Sequence, residues 1–374
     1  MEKKRTTKVC CVFNYAPHYR SAIYQAMARE LCCDFFFGDT VFQPIEQLDT
    51  TQLKGFKGFI KAKKTPFAGH VWHSGIKRIF NKEYTHYILT GHPKDIVNWL
   101  VILYAKLTGK KVYLWSHGLY APCRGFFKRA YHKLFYASAT GLLMYNRRNC
   151  RFMEEIGCRK ERLHIMHNSL DTALQTNIYN SLAPESIYND HFGNNHPTVI
   201  YIGRIQEVKK IPLLLQAAKI LHEQGTPVNV VLVGGGKEHK IEQEIDALQL
   251  HGRVWLHGPC YDEATNARLL YNAAVCVSPG NVGLTAIHAL TYGTPVVTHN
   301  NFTTQMPEAE AIADGITGSL FTEDDAHDLA RKIAHWCNIT PARRSQCRAA
   351  ARHTIESEWS TGYQINLLKE IIAI

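Results

Sequence analysis

Long apolar runs are absent from this chain of 374 residues. A helix that crosses a bilayer needs about 20 predominantly apolar residues. The longest candidate, residues 96–105, is too short and contains Asn98, so it predicts a helix in a protein core. Near the start, basic residues 3–5 precede an apolar run, Val9–Phe13, that is too brief for a signal peptide. We therefore expect a cytoplasmic protein.

Cysteine pairs of the C-x-x-C type are also absent. The 11 cysteines are odd in number and scattered, so neither a zinc site nor a disulfide framework is predicted. They are expected to be free thiols in a reducing compartment. Apolar residues make up 45% of the chain and charged residues 20%, which is typical of a globular protein. A chain of this length suits two domains of ordinary size.

Acidic residues are too few to balance the basic ones. The chain has 43 lysines and arginines against 32 aspartates and glutamates, a net charge of +11. Such a balance predicts an anionic partner. Nucleic acid is not favoured, because no helix-turn-helix, zinc-finger or RNA-binding signature occurs. An anionic membrane surface or an anionic lipid-linked acceptor fits better.

Basic and aromatic residues are mixed in one segment, residues 124–136. This mixture is typical of helices that lie at a membrane interface. An ordinary helix, with its aromatic face in the core and its basic face in solvent, explains the pattern equally well. The residues concerned are Arg124, Phe126, Phe127, Lys128, Arg129, Tyr131, Lys133, Phe135 and Tyr136.

Short apolar runs alternate with helical patterns along most of the chain, which predicts an α/β fold with parallel sheets. Residues 41–80 have the weakest periodicity and are expected to be irregular. The polar residues 172–196 are expected to be a linker. Strands are predicted at residues 8–13, 34–37, 86–90, 111–115, 141–145, 163–166, 198–202, 228–233, 254–256, 275–278 and 295–297.

The segment 275–297 is the most informative about function. A β-branched run, Val275 to Ser278, ends in a turn of proline, glycine and asparagine, and an apolar helical pattern follows. The glycines of this turn, Gly280 and Gly283, leave the first amides of the helix uncovered by side chains. Such a helix start is a ready site for a phosphate, helped by the helix dipole.

This segment resembles the donor-site signature of the GT-B glycosyltransferases of the family-4 type, which retain anomeric configuration and use sugar nucleotides. The serine-proline pair, Gly283-Leu284 and the tail of residues 293–296 match the signature. Two glutamates that are usual in the family are replaced, the first by Gly280 and the second by His288. Asn168 to Asp171 resembles the sequence with which the family's first domain ends.

The resemblance implies two Rossmann-like, doubly wound domains that face each other across a cleft. The first domain would cover residues 1–171 and bind the acceptor, through Asn14, Tyr15 and His18 in the loop after the first strand. After the linker, residues 197–354 would bind the donor, and a last helix at about 355–374 would pack back on the first domain. The implied donor-binding residues are Gly203, Gly234, Asn281, Val282, Gly283, Leu284, Thr285, His288 and Glu308.

Arg204 and Lys209 match a cation pair of the family that neutralises the donor diphosphate. A fixed cation pair stabilises a departing diphosphate without a metal. His117, at a predicted strand end, stands where the family often has a histidine near the donor sugar, although a purely structural role explains it nearly as well. His288 is either a ribose ligand, since imidazole both donates and accepts, or a core histidine.

The resemblance implies transfer of a hexose from a UDP- or GDP-linked donor to a glycan or lipid-linked acceptor, in polysaccharide or glycoconjugate biosynthesis. No metal or other cofactor is expected, because no aspartate-any-aspartate motif stands at a suitable loop. Acidic residues 323–325 precede a helix, where capping explains them better than a metal does. An epimerase or hydrolase with the same donor site, and a non-catalytic sugar-nucleotide binder, remain as alternatives.

Overall fold

A computed structural model describes residues 7–39, 45–65 and 69–372 of the protein. The chain divides into two units. Unit 1 consists of Met1–Asp171 and Thr361–Ile374, and unit 2 consists of Thr172–Ser360. None of the helices in the described ranges has both the length and the apolar character needed to span a membrane.

Strands and helices alternate along both units. The strands are β1 (Val9–Phe13), β2 (Cys33–Gly38), β3 (Phe56–Lys64), β4 (Val71–Ser74), β5 (His86–Thr90), β6 (Lys111–Ser116), β7 (Gly141–Met144), β8 (Leu163–Ile165), β9 (Thr198–Ile202), β10 (Asn229–Val233), β11 (Val254–Gly258), β12 (Val275–Ser278), β13 (Val296–His299) and β14 (Gly318–Phe321). The helices are α1 (Ser21–Glu30), α2 (Ile96–Leu107), α3 (Phe126–Ser138), α4 (Arg147–Glu155), α5 (Thr172–Tyr179), α6 (Ile187–Phe192), α7 (Ile211–Glu223), α8 (Glu238–Ala247), α9 (Glu263–Asn272), α10 (Leu284–Thr291), α11 (Ala326–Cys337), α12 (Pro341–Glu358) and α13 (Thr361–Ile372).

Unit 1 is built on a sheet with the strand order β4-β3-β2-β1-β5-β6-β7-β8. Every neighbouring pair is parallel except β3 and β4 at one edge, which are antiparallel. Both faces of the sheet are covered. In β1, Cys10 and Val12 enter one apolar cluster, whereas Cys11 and Phe13 enter the other. A parallel strand buried on both faces reads as a continuous apolar run, which explains why β1 was predicted from sequence.

The expectation that residues 41–80 are irregular is wrong where the structure describes them, since β3 and β4 lie there. Residues 41–44 and 66–68 lie outside the described residues. Ile60 of β3 is buried, whereas its neighbours Lys57 and Lys61 are exposed. Lysines and glycines hide this alternation in the sequence, and lysine on strands near a sheet edge is common because it discourages pairing with other chains.

Unit 2 is built on a fully parallel sheet with the order β11-β10-β9-β12-β13-β14. The order reverses between β9 and β12, and in such sheets ligands bind beyond the carboxyl ends of the strands at the reversal. The loops that follow β9 and β12 therefore flank the expected ligand position of this unit. The predicted α/β fold with two parallel, Rossmann-like sheets is confirmed.

The irregular linker expected at residues 172–196 contains two helices, α5 and α6. Contacts with α9 hold them in place: Gln175 donates a hydrogen bond to Glu263 (2.9 Å), and the Tyr188 hydroxyl donates to the Leu269 carbonyl (2.5 Å). These helices lack apolar periodicity, and the partners that hold them lie 81 and 88 residues away, so they are not visible in the sequence.

The last helix, α13, is part of unit 1. Its apolar residues Ile365, Leu368 and Ile372 enter the same cluster as Phe13. The Tyr113 hydroxyl of β6 donates to the Ile371 carbonyl at 2.8 Å, which ties the end of the chain to the sheet. Unit 1 is therefore assembled from both ends of the chain.

Candidate functional site

The loops after β9 and β10 in unit 2 approach each other closely at two glycines. Gly203 and Gly234 have φ of 144° and 147°, and a Cβ atom on Gly234 would lie 1.8 Å from the Gly203 carbonyl oxygen. Only glycine fits this approach. The two residues thus shape the edge of the site, beside the point where the strand order reverses.

Lys209 joins the loop after β9 to the turn after β12. Its Nζ donates to the carbonyl oxygen of Asn281 at 2.6 Å, and its own carbonyl accepts from the amide of Gly280 at 3.0 Å. The ammonium also lies 4.0 Å from the position that a Cβ on Gly283 would occupy. The cation is thus fixed beside the start of α10, where a phosphate would bind.

Burial lowers the pKa of Lys209 to about 8. The carboxylate of Glu308 opposes this effect and raises the pKa, whereas the nearby charge of Arg204 lowers it. Glu308 is itself buried, with 3% of its surface exposed. Arg204 has an exposed side chain, and its carbonyl accepts from the Tyr201 hydroxyl at 2.7 Å. The predicted cation pair and Glu308 are thus electrostatic neighbours.

The structure explains why glycine stands where the family usually has its first glutamate. A Cβ on Gly280 would lie 1.9 Å from the Val208 carbonyl oxygen and 2.8 Å from the Cα of Lys209. Backbone atoms at such distances cannot yield to a side chain. The turn is packed against the loop that carries Lys209, so a glutamate at 280 is excluded by the fold as it stands.

Helix α10 begins at the turn without a side-chain cap, because Gly283 is its N-cap residue, with φ of 56°. The hydroxyl of Thr285, in the first turn of α10, already donates to the Ile202 carbonyl at the end of β9 (2.8 Å). Val282 and Leu284 flank the cap, and the Val282 amide donates to the side chain of Gln305 at 3.0 Å.

Gln305 belongs to the site although the sequence does not predict it. Besides accepting from Val282, its amide group donates to the Thr298 hydroxyl (2.8 Å) and the His299 carbonyl (3.2 Å). It thereby fixes the turn after β12 to the end of β13. Its only sequence signal is a place in a polar loop after a strand, which does not distinguish it from its neighbours.

His288 lies one turn beyond Thr285 and contacts α9. Its Nε2 is 2.9 Å from a carboxylate oxygen of Glu263, which also accepts from the Tyr292 hydroxyl (2.6 Å) and the Gln175 amide (2.9 Å). Burial opposes ionisation of Glu263, but these three hydrogen bonds prevail and its pKa is lowered. Glu263 is therefore a carboxylate, which can only accept, so Nε2 of His288 donates to it.

In unit 1, the predicted acceptor residues lie in the loop after β1. The Asn14 side chain accepts from the Thr90 hydroxyl at 3.2 Å, which places it at the reversal between β1 and β5. The Tyr15 hydroxyl donates to the Ile45 carbonyl at 2.7 Å, which gives it a structural bond. His18 is exposed, with its Nδ1 3.3 Å from the Glu46 carbonyl. Of the three residues, His18 is thus the one with an exposed side chain, while Asn14 and Tyr15 are partly buried.

His117 follows β6 and is stacked on Tyr145, with ring centroids 4.1 Å apart, while Tyr120 stacks on it at 5.2 Å. Burial, and to a lesser extent the charge of Arg20, lowers its pKa to about 4. The imidazole is therefore neutral at pH 7. His117 belongs to unit 1, whereas Arg204 and Lys209, which the resemblance also implies in catalysis, belong to unit 2.

The acidic residues 323–325 make structural contacts. Lys210 forms ion pairs with Glu323 (3.0 Å) and Asp324 (2.6 Å), and Asp325 caps α11. Throughout residues 7–39, 45–65 and 69–372, no group of three or more histidine, cysteine or acidic side chains is arranged to hold a metal ion.

Comparison with known proteins shows what unit 2 is similar to. Residues 187–354 match the family model described as "Glycosyl transferases group 1". D-inositol 3-phosphate glycosyltransferase of Mycolicibacterium smegmatis is 31% identical over 173 residues, which are 43% of this chain and 37% of the relative. This chain thus spans little more than a third of the length of the curated relatives that it matches.

Solved structures extend the likeness to the whole chain. Alr3699/HepE of Anabaena in complex with UDP has a TM-score of 0.73 at 15% identity, covering 98% of this chain and 100% of its own. A glycosyltransferase of Rickettsia africae gives a TM-score of 0.73 at 16% identity, covering 98% of both chains. Alr3699/HepE has also been solved with UDP-glucose. Residues 187–354 of unit 2 are thus similar to group 1 glycosyl transferases, and the chain as a whole has the GT-B fold.

Proposed function

We propose that this chain is a glycosyltransferase that transfers a hexose from a UDP-linked donor to a hydroxyl group of an acceptor. The observation that carries the proposal is the position of Lys209, whose ammonium is fixed at the uncapped start of α10, at the strand-order reversal of unit 2. The relation to Alr3699/HepE, which binds UDP, supports the choice of nucleotide.

The diphosphate of the donor gains charge as the bond to the sugar breaks. In this proposal the first amides of α10 and the ammonium of Lys209 bind the diphosphate, and Arg204 adds a second cation from the exposed side. Fixed charges of this kind stabilise a leaving group without a metal. The nucleotide's ribose would contact Nδ1 of His288, and Glu308 would accept from donor hydroxyls. Retention of configuration follows the family and is part of the proposal.

The acceptor in this proposal is a glycan or lipid-linked saccharide that binds to unit 1. Asn14, His18 and His117 lie at the carboxyl ends of β1 and β6, which is where ligands bind to parallel sheets. Neutral His117 can both donate to and accept from sugar hydroxyls. Such a reaction belongs to the biosynthesis of a polysaccharide or glycoconjugate.

We further propose that α3 of unit 1 brings the protein to an anionic membrane surface on the cytoplasmic side. Phe126 and Phe127 at its start are 80% and 87% exposed, and Leu134 on the same face is 62% exposed. The inward face of α3 carries its other aromatic residues: Phe135 and Tyr136 are buried in the core, and the Tyr131 hydroxyl donates to the Pro93 carbonyl. The core therefore buries only some of the aromatic side chains of this helix. In the part of the chain that the structure describes, no carboxylate pairs with the basic side chains of α3.

Nucleotide release from a panel of sugar nucleotides, with and without saccharide acceptors, tests the reaction. Lys209→Ala and Arg204→Ala should each lower turnover by the equivalent of about 2–4 kcal/mol, since each removes a preorganised charge. Lys219→Ala removes the same charge from a partly exposed position of α7, where the lysine pairs with Glu223, and should leave turnover unchanged. Release independent of acceptor would indicate a hydrolase, and binding without release a non-catalytic binder. Wild-type turnover in folded Lys209→Ala would contradict the proposal.

A further inference from the structure

Arg20 occupies a position in unit 1 that neither the motifs nor the comparisons assign. It ends the turn His18–Arg20 after β1, immediately before α1. One guanidinium nitrogen donates to the hydroxyl of Tyr145, which follows β7. The guanidinium also lies over the rings of Trp115 (4.8 Å) and Tyr145 (5.4 Å). Arg20 is thus held rigidly where the carboxyl ends of β1, β6 and β7 converge.

The charge of Arg20 has no counter-charge within the described residues. No carboxylate lies within ion-pair distance of it, and its Nε is buried without a hydrogen-bond partner. A partly buried charge without a partner is costly, because the aromatic rings around it replace water only incompletely. The position therefore lowers stability unless something else binds the guanidinium.

Other arginines of the chain that stack on aromatic rings also donate hydrogen bonds to backbone carbonyls. Arg348 lies 3.7 Å from the centroid of the Tyr271 ring, and donates to the carbonyls of Tyr292 (3.3 Å) and Tyr271 (3.2 Å). Arg352 lies 3.8 Å from the centroid of the Tyr179 ring, and donates to the Thr291 carbonyl (3.1 Å) and to the Glu356 carboxylate (2.6 Å). These arginines bind backbone carbonyls, whereas Arg20 donates to the Tyr145 hydroxyl and otherwise lies against the rings of Tyr19, Trp115 and Tyr145. A structural role of the same kind does not account for it.

The groups around Arg20 suit a polar ligand. His117 is stacked beside Tyr145, and its Nδ1 is buried without a partner. Since His117 is neutral at pH 7, the positive charge of this group of side chains comes from Arg20. Tyr120 is 59% exposed and stacks on His117, so an aromatic surface for a sugar ring lies next to the cation.

We propose that Arg20 binds an anionic group, a phosphate or a carboxylate, on the saccharide acceptor. This assignment rests on the proposed function, of which it specifies the acceptor class. The guanidinium offers planar N–H donors that match both anions, and the bond to Tyr145 uses only one of its two terminal nitrogens. Ring stacking fixes its orientation, which reduces the entropy lost on binding.

Calorimetric titration of the full chain with four probes tests the assignment: inorganic phosphate, a hexose phosphate, a hexuronic acid and the corresponding neutral hexose. The wild type should bind the hexose phosphate or the hexuronic acid at least tenfold more tightly than the neutral hexose. Comparison of the two anionic sugars identifies the anion, and inorganic phosphate shows how much the sugar adds. Arg20→Gln should abolish this preference, whereas Arg29→Gln, which removes an exposed charge from α1, should keep it.

Measurements of UDP affinity distinguish a failure of this assignment from a failure of the proposed reaction. UDP binds to unit 2 in our proposal, so Arg20→Gln should keep wild-type UDP affinity. If neither anionic sugar binds the wild type more tightly than the neutral hexose, the assignment is wrong even where UDP binds. An unchanged preference in Arg20→Gln would also overturn it. If Arg20→Gln does not fold, Arg20→Lys is used, which keeps the charge but loses the planar donors, and its preference should fall at least threefold.

Discussion

Burial and charge conflict at Lys209. Its folded pKa of about 8 lies below the ordinary value of 10.5, so the protonated side chain opposes folding at neutral pH. This cost disappears as pH rises from about 8 to 10.5, because the unfolded chain then binds the proton and the folded chain does not. A bound diphosphate offsets the same cost at neutral pH, which is a physical reason for placing a buried lysine here.

UDP affinity should therefore depend on the protonation of Lys209. We expect affinity to be constant between pH 7 and 8 and to fall by up to about tenfold per pH unit above pH 8, because the free protein must first take up a proton. Titration calorimetry in several buffers measures both affinity and proton uptake. Lys209→Arg, which stays charged, should lose this pH dependence. A wild-type affinity that is flat to pH 9.5 would show that Lys209 does not contact the nucleotide.

The hydrogen bond between His288 and Glu263 determines the expected effect of each substitution at position 288. His288→Ala should weaken UDP affinity by about 1–2 kcal/mol, the net value of a hydrogen bond or two. Tyr292→Phe removes another donor to the same carboxylate oxygen without touching the imidazole, so it should lower the melting temperature but not the affinity. His288→Glu, which introduces the residue usual in the family, should also weaken UDP affinity, because it would place a second carboxylate beside Glu263. Unchanged UDP affinity in His288→Ala would identify a core histidine.

At the scale of elements, α3 divides its aromatic residues between two environments. Its inward face packs on α2 through contacts of Trp99 with Tyr131 and Phe135. Its outward face carries Phe126, Phe127 and Leu134, with Arg129 and Lys133 beside them. The packing expected of an ordinary helix is therefore found on the inward face, whereas membrane binding by the outward face stays a prediction.

Binding of the protein to anionic liposomes should depend on this outward face. We expect binding at low salt that weakens as salt screens the charges, and a clear loss in the double variant Phe126→Ser/Phe127→Ser. Neutral liposomes serve as the lipid control. Phe302→Ser, at another exposed aromatic residue, should bind as the wild type does. Co-sedimentation measures each case, and failure of the wild type to bind at low salt would remove the membrane proposal.

At the scale of the whole molecule, unit 1 depends on the last segment of the chain. Removing residues 361–374 would expose the apolar cluster that Ile365, Leu368 and Ile372 complete, and would leave the Tyr113 hydroxyl without its acceptor. Burial of three such side chains contributes roughly 5 kcal/mol. We expect the truncated chain to show a lower and separate melting transition for unit 1.

Unit 2 should survive this truncation, since residues 172–360 form it without that segment. UDP binding by the truncated chain, followed by calorimetry beside its melting curve, checks this. Retained UDP affinity with an early transition is the expected result. A single unchanged transition would mean that α13 does not stabilise unit 1.

The amino-acid sequence determined the alternation of elements and the position of the site loops. Strands such as β1, β9 and β12 are buried on both faces, so their apolar runs are visible in the sequence, and α10 was located by its turn. The resemblance named Lys209 because its spacing from the glycine-arginine pair is local. Those features depend on residues close together in the chain.

Tertiary structure alone decided the partners of these residues. The exclusion of a side chain at Gly280 comes from the loop at Val208, and the bond of His288 comes from Glu263, 25 positions away. Likewise Arg20 meets Tyr145 across 125 positions. Apolar periodicity records which face of an element is buried, but not which distant loop packs against it. The chemistry of this site is set by those distant contacts, because each of them fixes a charge or a hydrogen-bond donor in space.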